Sequence, residues 1–358
     1  MKIENLALGE PIVNCVATIG SFDGVHRGHQ CLLSQVRHIA DERGLRAMAI
    51  TFGTSPRRVL GMDDSPQLTS VKERTTLLRQ CGMDEVAVLD FTRPMAEMTA
   101  RDFMLQVLKE QLGVEVLVIG YDHRFGHGRS EGFDDYVRYG EEMGIEVVRG
   151  EACTDGGEPV SSTRIRHLLT EGNVKEAAHL LGYLYTLQGE VVGGYREGRK
   201  MGFPTANLQP LYADKLLPTD GVYAVRVFVG QQTTDNRQQT TDKVATKQEQ
   251  RLLAGSVERS NFNEVNGKQT DNCELSIVNC QLNGMLNIGR RPTMNNGAER
   301  SIEVHILDFN GELYGKSLTV EFVHRLREEQ TFGSVEQLAE QLRRDEVRVR
   351  RILNDEKE

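Results

Sequence analysis

Three stretches of the chain bring together residue types that handle phosphate. Gly20-Ser-Phe-Asp-Gly-Val-His-Arg-Gly-His29 carries His26 and His29 three positions apart, able to share one face of a helical turn and to donate to phosphate oxygens. Gly28, between them, lets the backbone approach a ligand closely. Val160-Ser-Ser-Thr-Arg-Ile-Arg166 offers hydroxyls, exposed N–H groups and two arginines at a helix start, a set suited to a polyphosphate leaving group. Further on, Gly193, Gly194, Gly198 and Gly202 allow a backbone folded closely over a ligand, with Arg196, Arg199 and Lys200 nearby. Pro204-Thr-Ala-Asn207 closes that run with a fixed turn that presents a hydroxyl and an amide two residues apart, donors for a hard cation and its phosphates.

The first stretch lies between Val13 to Ile19, which reads as a buried strand, and a helix whose apolar stripe is Leu32, Leu33, Val36, Ile39 and Ala40. A glycine-rich turn leaving a strand and opening a helix gathers free N–H groups and the positive dipole end at one point, where an anion is stabilised. Strand patterns follow at 46–52, 85–91, 115–120 and 145–149, alternating with helical patterns at 72–80, 101–112 and 134–143. That alternation predicts a parallel sheet with helices on both faces and ligands at the carboxyl ends of its strands. One such end is Gly120-Tyr-Asp-His-Arg-Phe-Gly126, continuing through Arg129, whose glycines, aromatics and arginines suit a ring system beside phosphate. The residues Ser161, Ser162 and Thr163 are candidate caps for the helix that runs on through Leu168 and Leu169.

After a helical pair at 163–171 and 173–182 the pattern changes to strands and turns, which places a domain boundary near Gly182 to Thr186. Strands are read at 221–229, 284–289, 301–309 and 318–323, with a closing helix at 335–353, favouring a small antiparallel barrel. In the 301–309 strand Ile302, Val304 and Ile306 share one face, Glu303 and His305 the other. Residues 231–280, rich in Gln, Thr, Asn and Asp, bury too little to offset ordering entropy and read as a mobile insertion, or else a small added interaction element.

The balance of 43 basic against 52 acidic residues, a net charge of −9, argues against a nucleic-acid binder with a broad basic surface. Six cysteines, at 15, 31, 81, 153, 273 and 280, show no CxxC pair or metal-ligand spacing, so free thiols are expected. No apolar run of about 18 residues and no apolar leader appear, so the expectation is a cytoplasmic protein with small-molecule partners and no membrane partner; its oligomeric state is open.

The pattern GxFDGVHxGH after a strand resembles the signature of the nucleotidylyltransferase superfamily, in the form found in bacterial bifunctional riboflavin kinase/FAD synthetases. With the loops at 120–129 and 160–166 the resemblance covers roughly residues 14 to 185. It implies that His26 and His29 bind ATP phosphates, with Gly20, Phe22, Gly24 and Gly28 among the residues that bind ATP and its phosphates. It further implies Asp122 in the nucleotide pocket, Phe125 near the flavin, and Ser162, Thr163 and Arg166 as a phosphate clamp. Family members commonly carry proline and histidine where this chain has Thr54 and Ser55.

The run from Gly198 to Leu208 resembles the riboflavin kinase signature GRxxGFPTANL, and that likeness covers roughly 186 to 353 without the insertion. It implies Gly198, Arg199, Gly202 and Pro204 around ATP, Thr205 and Asn207 as ligands of Mg²⁺ and the phosphates, and Glu303, opening an ExHxxDF segment, as general base. Many relatives have His-Gly-Asp where this chain has Gly193-Gly194-Tyr195. The fold implied is an α/β nucleotidylyltransferase-like (Rossmann-like) parallel sheet domain at 1–184, then a small antiparallel β-barrel riboflavin kinase domain at 185–358 with a C-terminal helix. The chemistry implied is riboflavin plus ATP giving FMN, then FMN plus ATP giving FAD and pyrophosphate, with Glu303, His26 and His29 catalytic. Two alternatives stand beside it. A monofunctional nucleotidylyltransferase would not need GFPTAN or Glu303, and a non-catalytic flavin sensor would have no use for His26, His29, Thr205, Asn207 and Glu303 together.

Overall fold

A computed structural model describes residues 3–4, 14–62, 65–121, 123–151, 154–155, 157–193, 202–230, 281–291 and 299–355. Asp122, Gly198, Arg199, Gly194, Tyr195 and the whole 231–280 segment expected to be an insertion lie outside these residues.

The N-terminal half is a sheet of six strands: β1 (Ile3–Glu4), β2 (Cys15–Ile19), β3 (Arg46–Phe52), β4 (Glu85–Leu89), β5 (Val114–Ile119) and β6 (Glu146–Arg149), in the order β1-β4-β3-β2-β5-β6. Its helices are α1 (Arg27–Arg43), α2 (Pro56–Val59), α3 (Val71–Gln80), α4 (Arg93–Ala96), α5 (Ala100–Phe103) and α6 (Phe133–Met143). Every residue of β2 is buried, as expected of a central parallel strand covered on both faces. Its alternate side chains serve two cores: Cys15, Ala17 and Ile19 join Met104, Leu108 and Tyr136, while Val16 joins Leu33, Val36 and Leu78. The strand order reverses at β2, whose other neighbour is β5, so the loops leaving these two strands flank the crevice where such sheets bind ligands.

Two details differ from the sequence reading. The β1 strand pairs antiparallel with β4, and the helix expected over 101–112 is α only in α5, continuing as a π-helical stretch over Met104–Lys109. A shift from i→i+4 to i→i+5 bonding leaves no mark in hydrophobic spacing over so short a run.

A small hairpin of β7 (Thr154–Asp155) and β8 (Glu158–Pro159) precedes the helical pair α7 (Ser162–Glu171) and α8 (Val174–Leu181). The barrel then closes from β9 (Tyr185–Val192), β10 (Ala206–Pro210), β11 (Gly221–Val229), β12 (Gln281–Arg291), β13 (Glu299–Ile306) and β14 (Ser317–Arg327), in the order β10-β13-β12-β11-β14-β9. Ile302, Val304 and Ile306 enter the barrel core, as strand alternation requires, and Ile165, Leu169, Leu180 and Leu181 of α7 and α8 join the same apolar cluster. The closing helix α9 (Val335–Asp355) lays Val349 and Leu353 against Val222, Ala224 and Val323. Cys15 and Cys81 are free thiols, but Cys31 is disulfide-bonded, which corrects the expectation of free thiols throughout. Spatial proximity decides that bond, and spacing along the chain does not report it.

Candidate active sites

The loop leaving β2 is strained and tightly held. Phe22 and Val25 take φ values of 47° and 38°, beside Gly24 at 83°. Positive φ is unfavourable for a β-branched valine, so this shape persists only because its surroundings impose it. Asp23 supplies most of that restraint: its carboxylate accepts from the Leu68 N–H at 3.0 Å, the Thr69 N–H at 3.0 Å, the Thr69 hydroxyl at 3.1 Å and Arg166 at 2.5 Å. The Tyr183 hydroxyl donates to the Gly24 carbonyl at 2.6 Å, and the Ser162 hydroxyl to the Asp23 carbonyl at 2.8 Å.

The chain thereby enters α1 with His26 as N-cap, its Nδ1 accepting from the His29 N–H at 3.4 Å. A neutral His26 then carries its proton on Nε2. The two imidazoles stack at 3.7 Å between centroids and 17° between planes, and Phe22 stands edge-on to His29 at 5.2 Å. Burial pushes the His26 pKa down to about 4. Burial pushes His29 well below its usual range too, helped by His26, Arg74 and His123. His29 Nδ1 is buried with no hydrogen-bond partner, a polar atom awaiting one at the mouth of a helix.

These residues face a cavity of about 480 Å³, whose walls include His26, Gly28, His29, Ser162, Thr163 and Arg166. The clamp residues expected at 160–166 therefore do meet the histidines across one space. Ser161, not its two neighbours, caps α7 by accepting from the Arg164 N–H at 3.3 Å. Gly28 has a clear reason: a Cβ there would lie 3.2 Å from His26 Nδ1 and 3.3 Å from the Val160 carbonyl. Gly20, Phe22 and Gly24 are not on the cavity wall. Phe22 is 1% exposed and props His29 from beneath, while Gly24 packs toward Leu68 and Leu181.

A second, more apolar cavity of about 410 Å³ adjoins the first, sharing Phe52, Pro56, Arg57 and His123 with it. Phe91, Met95, Phe103 and Phe125 line it. Phe125 is fixed by a 4.3 Å stack on Tyr136, whose hydroxyl bonds both its N–H and its carbonyl at 3.1 Å. The site thus joins a polar chamber at a helix start to a more apolar one. The resemblance names Phe125 but not the cavity, because its walls come from β2, β3, α2, α4, α5 and neighbouring loops.

In the barrel, the Thr205 hydroxyl donates to Glu303 Oε2 at 3.3 Å, and Asn207 stands directly opposite Glu303 in the β10–β13 register. His305, 9% exposed, holds the turn before them: its Nδ1 lies 2.8 Å from the Pro204 carbonyl, and Phe203 packs edge-on to its ring at 5.3 Å. The neighbouring cavity, about 180 Å³, is lined by Pro204, Thr205, Asn207, Phe309, Leu313 and Tyr314. Gly202, at φ 83°, forms the tight approach to this turn. Hydroxyl, amide and carboxylate oxygens are the hard donors that Mg²⁺ prefers. Among the described residues there is no group of three or more His, Cys, Asp or Glu that could hold a metal ion.

Residues 10–164 match the family model described as FAD synthetase, and residues 181–353 the one described as riboflavin kinase. The bifunctional riboflavin kinase/FMN adenylyltransferase of Escherichia coli K12 is 34% identical over 97% of this chain and 95% of its own length. The chain belongs to that bifunctional family. The stacked histidines therefore lie in its FAD synthetase domain and the Thr205–Glu303 pair in its riboflavin kinase domain. Members from Haemophilus influenzae and Listeria monocytogenes are each 32% identical, over 92% and 93% of this chain. A solved structure from Streptococcus pneumoniae, named as a macrolide-efflux protein, superposes with a TM-score of 0.76 at 30% identity, covering 95% of both chains. Among the described residues of the present chain no helix is long and apolar enough to cross a membrane.

Proposed function

We propose that the barrel domain phosphorylates riboflavin with ATP to give FMN, and that the parallel sheet domain adenylylates FMN with a second ATP to give FAD and pyrophosphate. The domains divide at 184/185, close to the gap between the two family matches. The observation that carries the reading is the pairing of Thr205 with Glu303, in register with Asn207, in a chain that also stacks His26 on His29 at a helix start.

In the first reaction the riboflavin 5′-hydroxyl oxygen bonds to the γ-phosphorus of ATP as the bond to ADP breaks, and Glu303 accepts the hydroxyl proton. Thr205 orients that carboxylate and, with Asn207, faces the ATP phosphates, while His305 keeps the turn in place. Thr205 and Asn207 are the residues that would hold Mg²⁺, which would supply neutralisation of charge on the transferring group. In the second reaction an oxygen of the FMN phosphate bonds to the α-phosphorus of ATP and the α–β bridge breaks. His26, His29, Ser162, Thr163 and Arg166 take up the charge of departing pyrophosphate, with the isoalloxazine against Phe125 in the apolar chamber. Gly28 keeps the loop close to the phosphates. We place the enzyme in the cytoplasm with small-molecule partners; a net charge of −9 weighs against a nucleic-acid partner, and among the described residues no helix is long and apolar enough to cross a membrane.

Incubation with riboflavin, ATP and Mg²⁺, followed by chromatography, yields FMN and then FAD. Glu303→Gln stops FMN formation and spares FMN-to-FAD conversion, and His29→Ala does the reverse; a folded variant that loses both steps refutes two independent sites.

A further inference from the structure

The adenylyltransferase cavity is held from outside its own domain. Between β10 and β11 the kinase domain sends residues 211–216 against α3 and the residues before it. The Gln67 N–H donates to the Asp214 carbonyl and the Leu216 N–H to the Gln67 carbonyl, each at 2.8 Å. Lys215 Nζ lies 2.8 and 2.9 Å from the two carboxylate oxygens of Glu73, the side chains being 2% and 9% exposed. It also sits 4.9 Å from the centre of the Tyr185 ring. Glu73 is a member of the capping box that starts α3, accepting from the Ser70 N–H at 2.8 Å. Arg58 and Asp214 add an outer pair at 2.6 Å.

What these contacts hold is Arg74, the next residue of α3. Arg74 is 3% exposed, and its guanidinium donates to Gln67 Oε1 at 3.2 Å, to the Ser21 carbonyl at 3.0 Å, to the Phe52 carbonyl at 2.9 Å and to the Thr51 hydroxyl at 3.2 Å. Ser21 and Phe52 lie where β2 and β3 end. Ser21, Phe52, Gln67 and Arg74 all line the cavity that holds His26 and His29. A chain of directional bonds therefore runs from the kinase domain to the loops that shape the ATP chamber of the other domain.

A buried ion pair adds little net stability over well-packed apolar residues. Apolar contact is already present here, since Leu68, Leu181, Tyr185 and Leu216 share one cluster. Directional bonds add a fixed registration that apolar packing alone does not impose. We propose that Lys215 of the kinase domain is a positioning residue for FMN adenylylation, acting through Glu73 and Arg74 on the loops that cradle ATP. This rests on the functional reading above and extends it: the domain that makes FMN also sets the geometry of the site that consumes it. Lys215 Nζ bonds Glu73 of the other domain while Glu303 bonds the Thr205 hydroxyl, so the proposal leaves riboflavin phosphorylation independent of the Lys215–Glu73 pair.

Lys215→Met alone strands a buried carboxylate and invites unfolding, so the decisive full-length variant combines it with Glu73→Gln, which keeps the capping box. A displacement on the order of 1 Å is worth up to about a hundredfold in rate, so kcat/KM for ATP in FMN adenylylation falls by about tenfold to a hundredfold. ATP and FMN still bind stoichiometrically, riboflavin phosphorylation keeps the parental rate, and Lys215→Arg, which retains charge and reach, keeps most of the adenylylation rate. Parental adenylylation in the folded double variant overturns the proposal. So does a parallel fall of both activities with substoichiometric binding, which marks lost folded protein. A parental chain that makes no FAD from FMN and ATP would instead remove the functional reading beneath it.

Discussion

Replacing His26 by asparagine tests the electrostatics of the helix mouth. Asparagine is a good N-cap, so the acceptor for the His29 N–H is retained while the titrating group is removed. The parent His26 is 4% exposed and its pKa is lowered from 6.5 to about 4. Because the folded value is the lower one, the unfolded chain binds more protons between these limits. The His26 contribution is therefore fully present above pH 6.5 and is lost as pH falls toward 4. A displacement of 6.5 to about 4 corresponds to about 3 kcal/mol over the whole window, of which about 2 kcal/mol is gone by pH 5. Asp23 and the stacked His29 ring are retained in the variant, and because His26 also helps to lower His29, the difference between the two pH profiles reads the His26 titration together with its coupling to His29. Hydrogen exchange of the β2 and β3 amides under mild urea, from pH 7 to 4, reads the stability of this domain separately from the barrel. The variant's profile is flatter by that amount. Coincident profiles, or a His26 ring proton that titrates in NMR near the free-histidine value, would refute the argument from burial.

Three further outcomes are expected. Asp345→Ala leaves Arg327 without the carboxylate it binds at 2.8 and 2.9 Å inside the α9–β14 interface, and thermal unfolding of the barrel shows a loss of about 3–5 kcal/mol. Gly126→Ala places a methyl group 2.7 Å from the Ala100 nitrogen at a residue with φ of 90°, so the wall of the apolar chamber shifts and fluorescence titration shows weaker FMN binding. The acidic limb of FMN adenylylation follows the second ionisation of the FMN phosphate, at about pH 6, because the site's histidines titrate well below it. A limb near pH 4 would assign it to the imidazoles instead.

Much of the sheet and barrel was legible because their periodicities differ. The expected strand at 46–52 coincides with β3, that at 221–229 with β11, and the face assignment of Glu303 and His305 follows from alternation alone. The histidine pair was legible because both residues sit on one helical turn. Asp23 was not, since its four partners come from Leu68, Thr69 and Arg166, far along the chain, and nothing local distinguishes it from a solvated turn aspartate. The same blindness covers the apolar chamber, the Cys31 disulfide and the Lys215–Glu73 pair. Phe22 shows the converse error. A motif residue reads as a ligand contact when its part is to hold His29 from below.

The two sites handle protons differently, and their side chains reflect what each nucleophile requires. An alcohol must lose a proton as its oxygen bonds to phosphorus, and the carboxylate that the proposed mechanism assigns to receive it, Glu303, accepts from the Thr205 hydroxyl in the barrel. A phosphate monoester is already ionised at neutral pH and needs no base. In the sheet domain Asp23, on the same loop as the histidines, is engaged by four donors. Charge stabilisation is what that site must supply, and neutral imidazoles contribute it only as hydrogen-bond donors. Arg74 completes the account. Its bonds go to two carbonyls, a hydroxyl and an amide oxygen, none of them charged, so it lies beneath the chamber as a fixed, buried cation. In the adenylylation proposed above, a preorganised charge of that kind is suited to developing negative charge on the polyphosphate, because it needs no rearrangement during reaction. Its position, one residue from the carboxylate that Lys215 grips, makes the interdomain contact an electrostatic matter as well as a geometric one.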